Sequence, residues 1–186
     1  MSKAEGHYLQ YLAPGFDRKA VLEELMADYG TDIWNFAYFL TRRKEMADDI
    51  AQETFLAVYV RLYAYRGESS LKSWLLSIAR NKSLNALKSA FVRRVVLGDP
   101  FRHGKGASPS AEHAALERLE ADELWGKVLT LPLKHREVLL LIYHYGLTIE
   151  ETAASLGLSA GTVKSRLFRA KRRMAALLED RRMEEE

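Results

Sequence analysis

The sequence contains no cysteine, which excludes disulfides, thiolate metal sites and thiol chemistry. It has no apolar run near the ~20 residues that a membrane-spanning helix needs, so no membrane insertion is expected. Residues 1–16 lack the basic start and apolar stretch of a signal peptide, which predicts a cytoplasmic protein. The five histidines form no close helical pair, so we expect no metal and no cofactor.

Motifs that carry enzyme chemistry are also missing. We find no glycine loop that would cradle phosphate, no metal ligand set and no nucleophile elbow, so enzyme activity is not expected. The net charge is only +3 over 186 residues, and the placement of the charges is therefore more informative than their sum. Hydrophobic residues make up 48% of the chain, which is enough for a packed core.

Hydrophobic periodicity predicts helices over nearly the whole chain, with no alternating strand pattern of useful length. The first two expected helices cover residues 18–30 and the segment from residue 31 through residue 39. The others cover residues 44–64, 70–93, 111–129, 134–143, 149–156 and 160–178. Glycine, proline and serine concentrate between residues 98 and 110, which is typical of a linker. We therefore predict an all-α fold of two small helical domains joined by a flexible linker. The predicted segments are a leader (1–16), a first domain (17–95), the linker (96–110) and a second domain (111–183).

The second predicted domain contains the pattern of a helix-turn-helix. Thr148 and Glu151 have capping-box spacing at the start of a short helix. Gly157 follows where the chain must turn sharply, and Ser159 can cap the next helix. A short helix, a glycine-containing turn and a second helix are typical of DNA-binding proteins.

The second helix of this motif carries six cations and no acid between Ser159 and Met174. Its apolar residues fall on the opposite stripe at steps of four, three and four: Val163, Leu167, Ala170 and Met174. A basic face of this kind suits phosphates and base edges. The alternative is a solvated amphipathic surface helix. Acids are usually interspersed among the cations of such a helix, so we favour DNA binding.

The same segment closely resembles region 4 of the extracytoplasmic-function sigma factors, which are bacterial transcription initiation factors. The resemblance is carried by Leu131-Pro132, Arg136-Glu137-Val138, Thr148 to Ala153, Leu156-Gly157 and Gly161 to Ala170. It implies binding to the −35 promoter element and contact with the polymerase flap. The residues that it assigns to −35 DNA are Thr162, Lys164, Ser165, Arg166, Arg169 and Arg173. Thr152 departs from the family pattern, which usually has isoleucine, and this raises a question about core stability.

The segment from Ala47 to Leu56 resembles the helix with which these sigma factors bind core RNA polymerase. Asp49, Gln52 and Glu53 share one face because they lie at i, i+3 and i+4. Spacing alone leaves an ordinary solvated face equally possible. The resemblance implies that the clamp coiled coil of the polymerase binds Asp48, Asp49, Gln52 and Glu53.

The stretch from Tyr63 to Asn81 resembles the segment that melts and reads the −10 element. Strand separation needs a pocket for an unstacked base, which a short polar loop beside aromatic and basic groups could provide. We interpret Trp74 as a core residue, not a stacking platform, because it shares a helical phase with Leu71 and Ile78. The resemblance assigns −10 DNA to Arg66, Gly67, Ser69, Arg80, Asn81, Asn85 and Lys88. Asn85 stands where the family commonly has aspartate, so the base preference is open.

These features favour a sigma factor over two alternatives. A stand-alone helix-turn-helix regulator would leave the Asp49, Gln52 and Glu53 face without a purpose. An adaptor protein that binds only through its helices would leave the basic helix unexplained. The resemblance also implies an anti-sigma partner, beside promoter DNA and core RNA polymerase.

Overall fold

The computed structural model describes residues 17–65, 67–97 and 123–184, and all regular structure within these ranges is helical. The chain divides into two compact units, Met1–Ser108 and Pro109–Glu186. The predicted all-α fold with two helical units is therefore confirmed. The leader and nearly all of the linker lie outside the described residues, and the exact domain boundaries stay predictions.

Within residues 17–97 of the N-terminal unit, three long helices pack around one apolar core. They are α1 (Arg18–Thr41), α2 (Lys44–Arg61) and α3 (Leu71–Leu97), with a 3-10 turn at Leu62–Ala64. Asp17 caps α1, because its carboxylate accepts a hydrogen bond from the Lys19 backbone N–H at 2.8 Å. The fully buried side chains of this core come from α1, α2 and α3 and include Leu25, Phe36, Phe39, Val58, Leu75 and Leu76.

The predicted break at Gly30 is wrong, because α1 continues through it to Thr41. Gly30 is not among the glycines with positive φ, so its backbone is helical. A glycine inside a helix costs about 1 kcal/mol relative to alanine. That cost is offset here because every residue from 33 to 41 is buried. The helix ends instead at Arg42, whose φ of 61° is left-handed.

In the described part of the C-terminal unit, residues 123–184, there are four helices: α4 (Glu123–Thr130), α5 (Leu133–Leu139), α6 (Ile149–Leu156) and α7 (Ala160–Glu184). A π-helical turn at Leu140–His144 continues α5. Helix α5 packs mainly against α7, and Val138, Val163 and Ala170 of these two helices are completely buried. Only the end of the predicted helix 111–129 falls within the described residues.

Two helices are longer than the sequence predicted. Helix α3 reaches Leu97, two residues into the predicted linker, and α7 continues past residue 178 to Glu184. Both extensions are at helix ends, where local sequence signals are weakest. No helix in the described ranges is long and apolar enough to cross a membrane.

Candidate DNA and polymerase interfaces

The turn between α6 and α7 has the geometry that its sequence predicts. The Glu151 backbone N–H donates to Thr148 Oγ1 at 3.1 Å, and the Thr148 N–H donates to Glu151 Oε2 at 2.9 Å. This reciprocal pair is a capping box. Gly157 ends α6 with a φ of 64°. Ser159 Oγ then accepts the Thr162 N–H at 3.2 Å and starts α7, so the predicted helix-turn-helix is present.

Helix α7 presents most of its cations to solvent. Lys164, Arg169 and Arg173 are exposed, as is Ser165 between them. Thr162 is half-buried, and its hydroxyl lies 2.9 Å from Ser159 Oγ at the helix start. The Ser165 hydroxyl donates to the Thr162 carbonyl at 3.0 Å, so it is held against the helix backbone.

Arg166 forms an ion pair with a carboxylate of a neighbouring helix. Its Nη1 donates to Glu137 Oε1 of α5 at 3.1 Å. The Arg166 side chain is 24% exposed and the Glu137 side chain only 3%. The pair therefore joins α7 to α5 at a largely buried position. The sequence-based assignment treated Arg166 only as a DNA contact.

His135 lies beneath the same basic face. It is 3% exposed, and neither ring nitrogen has a hydrogen-bond partner. Burial lowers the pKa of this imidazole below its usual 6.5, with further lowering by the positive charges of Arg173, Lys134, Arg169 and Arg166. The neutral imidazole is therefore the form that fits this environment.

In the N-terminal unit, the four residues assigned to core polymerase lie on the outer side of α2. Asp48, Asp49, Gln52 and Glu53 are all exposed. Asp48 Oδ1 accepts a hydrogen bond of 2.6 Å from Nε1 of Trp34, a buried side chain of α1. Glu53 forms an ion pair of 2.9 Å with Lys82 of α3. Two of the four thus also connect α2 to its neighbours.

An apolar surface, formed by Leu56, Val60 and Tyr63, continues this face toward the end of α2. The three residues lie at i, i+4 and i+7, and they are 60%, 74% and 55% exposed. The Arg18 guanidinium lies 3.9 Å from the centroid of the Tyr63 ring. No role was predicted for this surface, although the spacing of its residues can be read from the sequence.

The residues assigned to the −10 element lie along α3 and in the loop before it. Gly67 is exposed with a φ of 70°. The Tyr65 hydroxyl donates to the Ser69 carbonyl at 2.7 Å, and the Tyr65 ring lies 5.1 Å from the half-buried Trp74 ring. Arg80 is half-buried, Arg66 lies outside the described residues, and the exposed members on α3 are Asn81, Asn85 and Lys88.

Comparisons with known proteins match each of the two units to a protein-family model. Residues 25–91 match the family model for sigma-70 region 2, and residues 113–174 match the model for sigma-70 region 4. The chain is 30% identical over 161 residues to the ECF RNA polymerase sigma factor SigM of Bacillus subtilis, covering 84% of this chain and 94% of that one. The chain belongs to the ECF RNA polymerase sigma factors.

Two solved structures are similar over most of the chain. The structure of CnrH in complex with the cytosolic domain of CnrY matches with a TM-score of 0.68 and 25% identity, covering 96% of this chain and 99% of that one. The structure of RpoE in complex with the anti-sigma factor NepR from Bartonella quintana matches with a TM-score of 0.65 and 25% identity. The match covers 87% of this chain and 98% of that one. The two helical units of this sigma factor therefore have the family's fold.

Thr152, which departs from the family pattern, is completely buried on α6 of this sigma factor. Its hydroxyl oxygen is buried without a hydrogen-bond partner. A buried hydroxyl without a partner costs free energy. The expectation of a core weakness at this position therefore has a physical basis.

Nothing in the described part of the sigma factor points to metal chemistry. Among those residues, no group of three or more histidine, aspartate or glutamate side chains could hold a metal ion. Exposed carboxylates of Asp48, Asp49 and Glu53 lie on α2, and exposed cations lie on α7 before Met174.

Proposed function

We propose that this chain is an alternative sigma factor that recruits core RNA polymerase to promoters through contacts at both the −10 and −35 elements. The observation that carries the proposal is the match to region 4 over a helix-turn-helix whose second helix exposes several cations and no acid before Met174. The protein acts in the cytoplasm as a binding subunit, with no catalytic activity of its own.

Contacts with the −35 element are divided along α7. Thr162, Lys164 and Ser165 lie in its first two turns, where a recognition helix reaches base edges in the major groove. Arg169 and Arg173 lie one and two turns later and meet phosphates of the backbone. Both arginines are exposed, so they can reach DNA without rearrangement.

Contacts with the −10 element come from the loop before α3 and from the exposed stripe on that helix. Asn81, Asn85 and Lys88 recur at i, i+4 and i+7, so they share one face. The two amides can hydrogen-bond to base edges, and the ammonium group can bind phosphate. Gly67 and Ser69 belong to the polar loop that receives an unstacked base, Arg66 borders that loop in the sequence, and Arg80 of α3 binds phosphate.

The clamp coiled coil of core RNA polymerase binds the outer face of α2. Asp48, Asp49, Gln52 and Glu53 supply carboxylate and amide oxygens to basic and amide groups of the coiled coil. Leu56 and Val60 continue that face with exposed apolar surface, as expected for an interface that has an apolar centre and a polar rim. The flap of the polymerase contacts region 4.

An anti-sigma factor is a further partner of this chain. The proposal is supported by the solved structures of CnrH and RpoE, which are described as complexes with the cytosolic domain of CnrY and with the anti-sigma factor NepR. The identity of the partner, its binding surface and the promoter sequence are open to experiment.

A gel-shift experiment with and without core RNA polymerase tests the proposed function. Each DNA-reading unit offers a small interface, so the isolated chain should not hold a promoter tightly at physiological salt. Sequence-specific binding and transcription should appear only when core polymerase is added. Nanomolar specific binding by the isolated chain would contradict the proposal and favour a stand-alone helix-turn-helix regulator.

A further inference from the structure

We infer that Arg166 is a positioning residue, which holds the recognition helix α7 at a fixed rotation against α5 through Glu137 and does not itself read the −35 bases. The inference rests on the proposed −35 function of α7. Three observations carry it: the direction of the Arg166 side chain, the burial of Glu137, and the burial of apolar side chains of α7 on the same face.

The register of α7 directs Arg166 toward the protein. It lies three residues after Val163 and four before Ala170, and both of these are completely buried. Residues at these spacings share one face of a helix. Arg166 is consequently on the packed side of α7. Lys164 and Ser165 are rotated away from that side by about 100° per residue, and both are exposed.

Glu137 cannot meet DNA, because it is a buried residue on α5. Its Oε1 accepts a hydrogen bond from Arg166 Nη1 at 3.1 Å. A hydrogen bond between opposite charges has a preferred direction as well as strength. The bond therefore restricts where the middle of α7 can lie relative to α5.

The other contacts between the two helices are less directional. Val163, Ala170 and Met174 are buried by apolar packing, which is non-directional and tolerates small shifts. A rotation of α7 would move Lys164 and Ser165 relative to the bases. Since misplacement by about 1 Å can cost about a hundredfold in activity, one directional bond at the packed face can control recognition.

The test compares Arg166→Ala, Glu137→Gln and the double variant, each as a full chain in holoenzyme with core polymerase. Transcription is measured on a library of single-base −35 variants and over a range of salt concentrations. Temperatures are kept well below the melting of each variant, as checked by circular dichroism. Lys164→Ala is the matched control, because it removes an exposed cation two residues away.

Both single variants should lower transcription by a factor of about ten or more and should relax base tolerance across several −35 positions to the same extent, with an unchanged salt slope. The double variant should be little worse than either single variant, because the two residues act as one pair. Lys164→Ala should instead change the tolerance at particular −35 bases. The decisive result is that Glu137→Gln gives the same defect as Arg166→Ala, because Glu137 is too buried to contact DNA.

Several results would overturn the inference. Changed tolerance at one −35 base for Arg166→Ala, with a normal profile for Glu137→Gln, would make Arg166 a base reader. A salt slope lower by about one unit would make it a phosphate contact. If the transcription defect of the variants vanishes at temperatures where they are fully folded, the Arg166–Glu137 pair has only a role in stability. Absence of −35 dependence in the wild-type holoenzyme would be a separate result, because it overturns the proposed function as well.

Discussion

Acidification should destabilise the C-terminal unit through His135. This imidazole is buried with both ring nitrogens lacking partners, and the surrounding charges are the cations of Lys134, Arg166, Arg169 and Arg173. Burial is the largest cause that lowers the pKa of His135 below the usual 6.5 in the folded protein, and the nearby cations lower it further. The unfolded chain therefore takes up a proton more readily than the folded chain when the pH falls.

The direction and size of the effect follow from this difference in proton binding. The contribution of His135 to stability is complete above about pH 6.5 and decreases as the pH falls toward the folded-state pKa. One proton changes the free energy of unfolding by at most about 1.4 kcal/mol per pH unit. For a unit of this size, a loss of 1 kcal/mol lowers the melting temperature by about 4–8 °C.

Hydrogen exchange between pH 7.5 and 5.5 would measure this loss in the full chain. Peptides from residues 133–144 report opening of the C-terminal unit, after correction for the intrinsic effect of pH on exchange. His135→Leu should remove the pH dependence and be at least as stable as the wild type at low pH. His144→Gln, which changes an exposed imidazole, should keep it. If the wild type and His135→Leu lose stability equally with acid, the reasoning is wrong.

Four further outcomes are expected. Asp49→Lys should abolish pull-down of core polymerase while changing the free energy of unfolding by no more than about 0.5 kcal/mol, because the side chain is exposed. Asp48→Asn should cost about 1 kcal/mol in denaturant unfolding, because it weakens the 2.6 Å bond from Trp34 Nε1. Thr152→Val should raise the melting temperature by removing a buried hydroxyl without a partner, equivalent to about 1 kcal/mol. Arg173→Ala should weaken holoenzyme binding to all promoters alike and lower the salt slope by about one unit; a base-specific change would contradict its placement on phosphate.

Local sequence signals predicted the helix-turn-helix well because each feature depends on neighbours in sequence. The Thr148–Glu151 capping box, the positive φ of Gly157 and the Ser159 cap each involve residues within one turn of chain. Such features follow from backbone chemistry and need no tertiary contact. The predicted helix break at Gly30 was wrong for the opposite reason. Helix α1 continues past Gly30 because residues distant in the sequence bury the second half of the helix.

Long-range pairs could not be predicted from the sequence. Trp34 and Asp48 are 14 residues apart, and Glu137 and Arg166 are 29 apart, so no helical spacing connects them. A partial signal existed for Arg166, because it falls on the apolar stripe between Val163 and Ala170. Four of the six cations on this helix were assigned to DNA, and the position of Arg166 beside the apolar stripe did not reveal that Glu137 is its partner.

Helix α5 shows how a short element can position a recognition helix. His135, Arg136 and Glu137 are consecutive ionisable residues, and all three are at most 4% exposed. Each meets the cost of burial differently: Arg136 Nη1 donates to the Leu129 carbonyl at 2.6 Å, Glu137 accepts from Arg166, and His135 stays neutral. Arg136 thus fixes α5 to the end of α4 while Glu137 fixes it to α7. Because the same helix carries both bonds, a substitution at Arg136, which is itself buried, should also disturb −35 recognition.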